Sequence, residues 1–435
     1  MQHNHIHKTF IQYAVPTIIG MMIVALQSII DGMFVSKGVG PQGLAAINLV
    51  MPLVSVFFSI AIMITSGGVV ISGVAKGEGN ENKVKGYTSL TLLILAITSF
   101  SLTLISLPNL RTICYALGSD DTLYPYVRDY LSILVYGLFF FVSPSFTEAF
   151  VRLREKPGWV FVSGLTSCTL NVLLDWLFVL EWEWGMQGAA LATVIANFVA
   201  ALVLLKEVKF GHLQGGTKEI LRIFFNGSSE MITSIATAVT TFIFNLIVMQ
   251  HIGYLGVAAL TIVYYFNMIV NYSTFGMSQA MYPLVSYCVG AKDFIGVKKL
   301  LFIALKYSFG VGLSVYLLIL FFKAPIIGVF VNGNEELASL TRYAASYLTI
   351  AYLFSFINII GSGFYTAIER PIESALIAIL KSFVFIIGLL LILPSAFQSL
   401  GWDYNLGIWL SVPIGEVPCM LITLPLLRKS LRRLR

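Results

Sequence analysis

Asp31, in IVALQSIIDGMFV, and Asp175, in CTLNVLLDWLFV, are carboxylates set in otherwise apolar runs. An ionisable group inside a membrane span is costly unless it is paired or faces water, so each marks a candidate site. Asn171 precedes Asp175 by four residues and shares its helical face. Thr193 and Tyr130 fall at a similar depth on neighbouring apolar stretches. Two carboxylates close together in a low-dielectric setting repel, and taking up a proton relieves that repulsion. The oxygens of Asp31, Asn171, Asp175 and Thr193 are equally suited, as hard ligands, to a sodium ion. The residue types leave proton and sodium open. Taken singly, Thr193 and Tyr130 are also explained by hydrogen bonds to nearby carbonyls.

The elements that must hold these groups are membrane helices. The chain has 435 residues, of which 57% are hydrophobic and 11% charged; soluble domains carry about a quarter charged residues. Its apolar stretches each reach the ~20 residues that a spanning helix needs, rather than the ~10-residue alternation of barrel strands. Twelve spans are expected, at 11–35, 43–74, 87–110, 124–151, 158–180, 185–206, 219–251, 254–289, 297–322, 337–365, 372–395 and 402–427. The first of them is expected to direct insertion, after the polar tail MQHNHIHK, in which His3, His5 and His7 read as chance histidines of a frayed end. Lysine and arginine concentrate in alternate loops, twenty on one side against five on the other, which places both termini in the cytoplasm. The net charge of +6 is therefore a topology signal, and no basic patch for nucleic acid is formed. The four cysteines read as small hydrophobes with no disulfide framework or metal site.

The sequence repeats itself. SGVAKGEGNENKVKGY at 72–87 resembles SYCVGAKDFIGVKKLL at 286–301, and LREKP at 153–157 resembles AIERP at 367–371, both pairs separated by the same interval; GVGPQGLAAINLV at 38–50 resembles HIGYLGVAALTIV at 251–263. The fold expected is an all-α integral membrane protein of twelve helices in two six-helix lobes, 1–210 and 211–435. An even number of spans per copy relates the lobes by a pseudo-two-fold axis along the membrane normal, with a substrate route between them. With helices 1 and 5 rising outward, Asp31 and Asp175 share a level in the outer half of the first lobe. Pro16 and Gly20 lie below Asp31 on helix 1, where proline favours a bend and glycine adds slack. Their counterparts in the second lobe are uncharged: Asn245 for Asp31 and Leu389 for Asp175.

The IDGMFV segment followed by GLAA, the KGEGN loop, the LREKP loop, and NVLLDWLF followed by WGMQGAALATVIAN resemble the MATE family of multidrug and toxin extrusion transporters, most closely its DinF-like branch. The resemblance covers essentially the whole chain. It implies export of small lipophilic, often cationic compounds by antiport with H+ or Na+, through rocking of the two lobes, with no cofactor beyond the coupling ion. It assigns the cation or proton site to Asp31, Asn171, Asp175 and Thr193, with Tyr130 as a helix 4 partner and Pro16 as the bending proline. A monomer in the cell membrane, in contact with lipid, is expected.

The second lobe carries its own polar residues. Lys381 and Glu416 lie at comparable depths and are expected to pair; Asn267 and Asn271, one turn apart, and Asn245 are further candidates. Glu230, near the start of helix 7, reads as solvated, and Asp120 and Asp121 as a solvated turn. Two other functions fit the sequence less well. A lipid-linked saccharide flippase of the same superfamily would favour a more heavily charged cavity, and a membrane-embedded transferase would need Asp-rich metal motifs. The absence of a P-loop excludes ATP as an energy source within this chain, and an enzyme is not expected.

Overall fold

The structure is a computed structural model that describes residues 6–331 and 334–433, so His3 and His5 lie outside the described residues. It is almost entirely helical: α1 (Ile6–Gly38), α2 (Pro41–Gly77), α3 (Glu81–Ser106), the short α4 (Leu110–Ala116), α5 (Tyr124–Tyr136), α6 (Leu138–Leu153), α7 (Gly158–Asp175), α8 (Gly185–Leu205), α9 (Thr217–His251), α10 (Tyr254–Gly290), α11 (Phe294–Val331), α12 (Glu335–Leu348), α13 (Ser355–Ala367), α14 (Pro371–Ile379), α15 (Gly388–Ser399) and α16 (Tyr404–Arg433). Among the described residues ten helical stretches are long and apolar enough to cross a membrane, and two bent pairs bring the number to twelve.

Those bent pairs fall on the fourth and tenth expected spans, 124–151 and 337–365. α5 and α6 meet at 54° and the α12–α13 pair at 41°. Gly137 lies at the first break, where an added Cβ would come within 2.5 Å of Val194 on α8. The second break is a 3₁₀ turn at Thr349–Leu353, and the interval of the repeat carries Gly137 onto Ala351 at its middle. Two other spans contain π-helical segments, Trp176–Glu181 directly after α7 and Leu380–Ile387 directly after α14. Such insertions re-aim side chains and are frequent at functional sites.

The repeat is legible in the backbone itself. Positive φ recurs at Gly40 and Gly253, Gly79 and Lys292, Glu155 and Glu369, and Glu183 and Gly401. Helices α2, α6, α10 and α13 each close with the same pair of hydrogen bonds. In α2, Asn80 N donates to Ala75 O and Gly79 N to Lys76 O; Lys156 and Glu155, Asp293 and Lys292, and Arg370 and Glu369 do the same for the other three. This is the Schellman cap, in which a left-handed residue lets the chain satisfy carbonyls the helix end would otherwise leave open. Three of its four left-handed positions are not glycine, so the turn is held by its hydrogen bonds and not by glycine's freedom alone.

The chain divides into two compact units, Ile11–Met231 and Met1–Phe10 with Ile232–Arg435. In the first, α9 enters against α2: an added Cβ on Gly67 would fall 2.0 Å from Ile223 O, and one on Gly227 would fall 1.7 Å from Met63 O. This close backbone approach buries the foot of α9, and it corrects the reading of Glu230 as solvated; Glu230 is buried. In the second unit the core is built on Phe244, Val248, Leu260, Ile319, Ala345 and the fully buried Trp409. His7 belongs to α1, not to a frayed tail, and its Nε2 is 2.6 Å from Tyr307 Oη.

Candidate functional site

α1 lies beside α7 and is pinned to it above and below the carboxylates. Below, an added Cβ on Gly164 would sit 3.5 Å from Gly20 Cα, and one on Gly20 would sit 3.5 Å from Val160 Cγ1. Above, an added Cβ on Gly38 would meet Val179 Cγ1 at 2.5 Å. Residue numbers rise together along the two helices, so they run in the same direction. Asp31 is thereby carried to the level of Asn171 and Asp175.

Asp31 interacts with both Asn171 and Asp175, and Tyr130 on α5 is within electrostatic reach of both acids. No hydrogen bond of standard geometry joins them. Asp31 Oδ1, both polar atoms of the Asn171 amide and both carboxylate oxygens of Asp175 are buried without a partner. Asn171 and Asp175 are fully buried, with relative exposures of 0% and 1%. Buried polar atoms are ordinarily satisfied, because leaving one unpaired costs ~1–3 kcal/mol or more for a charged group. This constellation of oxygens is gathered away from solvent, and its chemistry suits a single positive charge.

The other residues expected at the site differ in how they are held. Thr193 Oγ1 donates to Ala189 O at 3.1 Å. Its hydrogen is committed to its own helix, and it presents only an oxygen lone pair. Tyr130 is buried and lies in the same layer. Pro16 and Gly20 lie within one continuous α1, Gly20 at the contact with Gly164.

One turn below the carboxylates is a second polar layer that the sequence reading did not single out. Ser167 Oγ lies 3.3 Å from Gln27 Oε1 and 3.2 Å from Asn197 Oδ1. Gln27 is four residues before Asp31, Ser167 four before Asn171, and Asn197 four after Thr193. The signal was the helical period itself: α1, α7 and α8 each carry a polar residue one turn below the one they give to the upper layer.

In the second unit the structure brings Lys381 and Glu416 together, with Lys381 Nζ 2.9 Å from Glu416 Oε1. Asn358 Nδ2 donates to Glu416 Oε2 at 2.7 Å. Sequence reasoning missed Asn358, a lone amide in the apolar run SFINII. Asn245 is separate from this pair, its Nδ2 donating to Thr241 O at 2.9 Å. Asn267 and Asn271 stay one turn apart on α10, half-buried and exposed respectively.

The comparisons with known proteins agree with this architecture. The MatE family model matches residues 16–177 and again 230–392, two successive stretches displaced by the interval of the internal repeat. A FAD transporter of Shewanella oneidensis is 24% identical over 426 residues, covering 94% of this chain and 91% of that protein. The multidrug export protein MepA of Staphylococcus saprophyticus is 23% identical over 434 residues, covering 97% of this chain and 93% of that protein. Among solved structures, a MATE protein in complex with MaL6 superposes with a TM-score of 0.91 at 18% identity, covering 100% of this chain and 99% of that one. An outward-facing multidrug resistance MATE family transporter of the MOP superfamily superposes with a TM-score of 0.90 at 18% identity and the same coverage. The family model spans well over half of the chain in two successive matches, and the chain belongs to the MatE family of membrane transporters.

Proposed function

We propose that this protein is an efflux antiporter for small lipophilic, often cationic compounds, driven by inward movement of a proton or a sodium ion through the site formed by Asp31, Asn171 and Asp175. The observation that carries the reading is the set of buried oxygens on these three residues that have no hydrogen-bond partner. Two ionised carboxylates in that position repel, and one bound cation replaces the repulsion with two attractions. Asn171 lends an amide dipole, and Thr193 lends a lone pair to a metal cation or none to a proton. Binding energy spent here is available to the exchange of cation for cargo, since a ligand shifts a conformational equilibrium only by its differential affinity for the two states. Two relatives named for drug export and for FAD transport support a small-molecule cargo. The acidic character of the first unit's site favours cationic over anionic cargo. The loop charges support a plasma-membrane location with both termini in the cytoplasm.

The test is efflux from energised cells of a panel of lipophilic cations, with FAD as an anionic comparator, under imposed pH and sodium gradients. Wild type is expected to expel the cations in response to one of the two gradients, and Asp31→Asn and Asp175→Asn to lose that response. Gradient-driven efflux unchanged in both variants would overturn the proposal.

A further inference from the structure

The two units differ at a further corresponding station, below the level of Asp31 and Asp175. Lys381 is displaced from Ser167 by the same interval that separates the LREKP and AIERP loops at the start of these helices. Glu416 is displaced from Asn197 by the interval that separates Gly407 from Gly188. Those two glycines fill the same structural role, each pressed against the preceding span: an added Cβ would meet Phe178 Cβ at 3.0 Å in the first unit and Pro394 Cα at 2.5 Å in the second. The neutral Ser167–Asn197 contact of 3.2 Å in the first unit therefore corresponds to the charged Lys381–Glu416 contact of 2.9 Å in the second.

The surroundings of Glu416 are built to hold an anion. Its Oε2 accepts from Asn358 Nδ2 at 2.7 Å, and its backbone carbonyl accepts from the same nitrogen at 3.1 Å. Asn358 is oriented in turn by Thr423, whose hydroxyl donates to Asn358 Oδ1 at 3.0 Å. Every donor in this chain of bonds points towards the carboxylate. Glu416, Asn358 and Thr423 are all buried, and Lys381 carries the remaining positive charge on a side chain that is 21% exposed. The Cys419 thiol on α16 also faces the pair and donates to Ile377 O at 3.6 Å. Lys381 stands near the start of the π-helical segment Leu380–Ile387, which sets the direction of its side chain.

We infer that Lys381 is a tethered cation: its ammonium pairs with Glu416 Oε1, on a carboxylate that Asn358 and Thr423 hold in place from its other oxygen, so that the second unit is permanently neutralised where it would otherwise bind a mobile positive charge. Removing the ammonium while keeping the carboxylate turns this station into a site for a free monovalent cation, either a proton or a sodium ion. The inference concerns the second unit alone and holds whichever ion serves Asp31 and Asp175.

The experiment is done in the Asp31→Asn/Asp175→Asn background, which removes the acids of the first unit. Thermal unfolding of the purified full chain is followed in choline chloride at alkaline pH, then after acidification and, separately, after exchange of choline for sodium. The parent is expected to respond weakly to both. Lys381→Met is expected to unfold about 5–10 °C lower in choline at alkaline pH and to regain most of that on acidification or in sodium. Whichever arm restores it identifies the guest. Lys381→Met/Glu416→Gln is expected to respond to neither. If Lys381→Met cannot be recovered folded in choline, extraction in acid or sodium is expected to recover it. The inference is overturned if Lys381→Met keeps the parent's midpoint, if its loss is rescued by neither cation, if the double variant still responds, or if both variants fail to fold under every condition, which would make Lys381 a packing residue.

Discussion

Replacing Asp175 with asparagine changes one charge and almost no volume, so its effect on cation binding can be worked from the site. The interaction of Asp31 with Asp175 puts the two carboxylates within reach of one guest. At ~4 Å and an effective dielectric of ~20, each contributes ~4 kcal/mol of attraction to a monovalent cation. The introduced amide returns part of this through its carbonyl dipole, worth ~1–2 kcal/mol as a hydrogen-bonding group. The net loss is ~2–3 kcal/mol, or about 30- to 150-fold in affinity. Asp31→Asn is expected to lose a similar amount, and the double variant to show no measurable binding. Trp176 follows Asp175 directly and provides a reporter. The assay is a titration of tryptophan fluorescence with sodium at fixed pH and with acid at fixed ionic strength. If either single variant keeps its affinity within about threefold of wild type, the two acids do not share a guest and the electrostatic reasoning fails.

Further expectations concern the supports of this site. Gly164→Ala should be tolerated, its Cβ meeting Gly20 Cα at an ordinary 3.5 Å. Gly164→Leu should force α1 from α7 at a cost of ~1–3 kcal/mol, and lose transport at normal membrane abundance. Ser167→Ala removes the hydroxyl that joins Gln27 to Asn197 and should lower thermal stability by the equivalent of ~1 kcal/mol; an unchanged unfolding midpoint would argue against that link. Asp120 accepts from Thr122 Oγ1, Thr122 N and Leu123 N, bonds that hold its carboxyl below the usual carboxylate range. Its stabilising effect is therefore present above the ordinary carboxylate range and lost as pH falls through the depressed value. Thermal melts across acid pH should show Asp120→Ala less stable than wild type near neutrality, and the two converging at low pH.

Much of this was legible because the membrane limits what a sequence can mean. Asp31 and Asp175 stand out against apolar surroundings, and both lie on helices of one unit that run side by side in the same direction. The bends at Gly137 and at Thr349–Leu353 were not legible, since each lies within an uninterrupted apolar run and is set by packing against another helix. Gln27, Ser167 and Asn197 were hidden for a different reason. Uncharged polar residues are tolerated in membrane helices, so only the contact among the three gives them meaning. The Lys381–Glu416 pair could be proposed from depth, whereas Asn358 and Thr423 are separated from it in sequence and are joined to it only by the fold. Glu230 shows the limit of reasoning from distance to a span end: the glycine contacts between α2 and α9 bury it.

The most direct test of cation exchange at Asp31 and Asp175 is counterflow in proteoliposomes. With a lipophilic cationic substrate imposed as the only gradient and the membrane voltage clamped, the account predicts substrate movement coupled to opposite movement of protons or sodium, read by an internal pH- or sodium-sensitive dye. That counterflow should be absent in both Asp31→Asn and Asp175→Asn. Counterflow persisting at the wild-type rate in either variant, or substrate movement in wild type with no opposing cation, would contradict it.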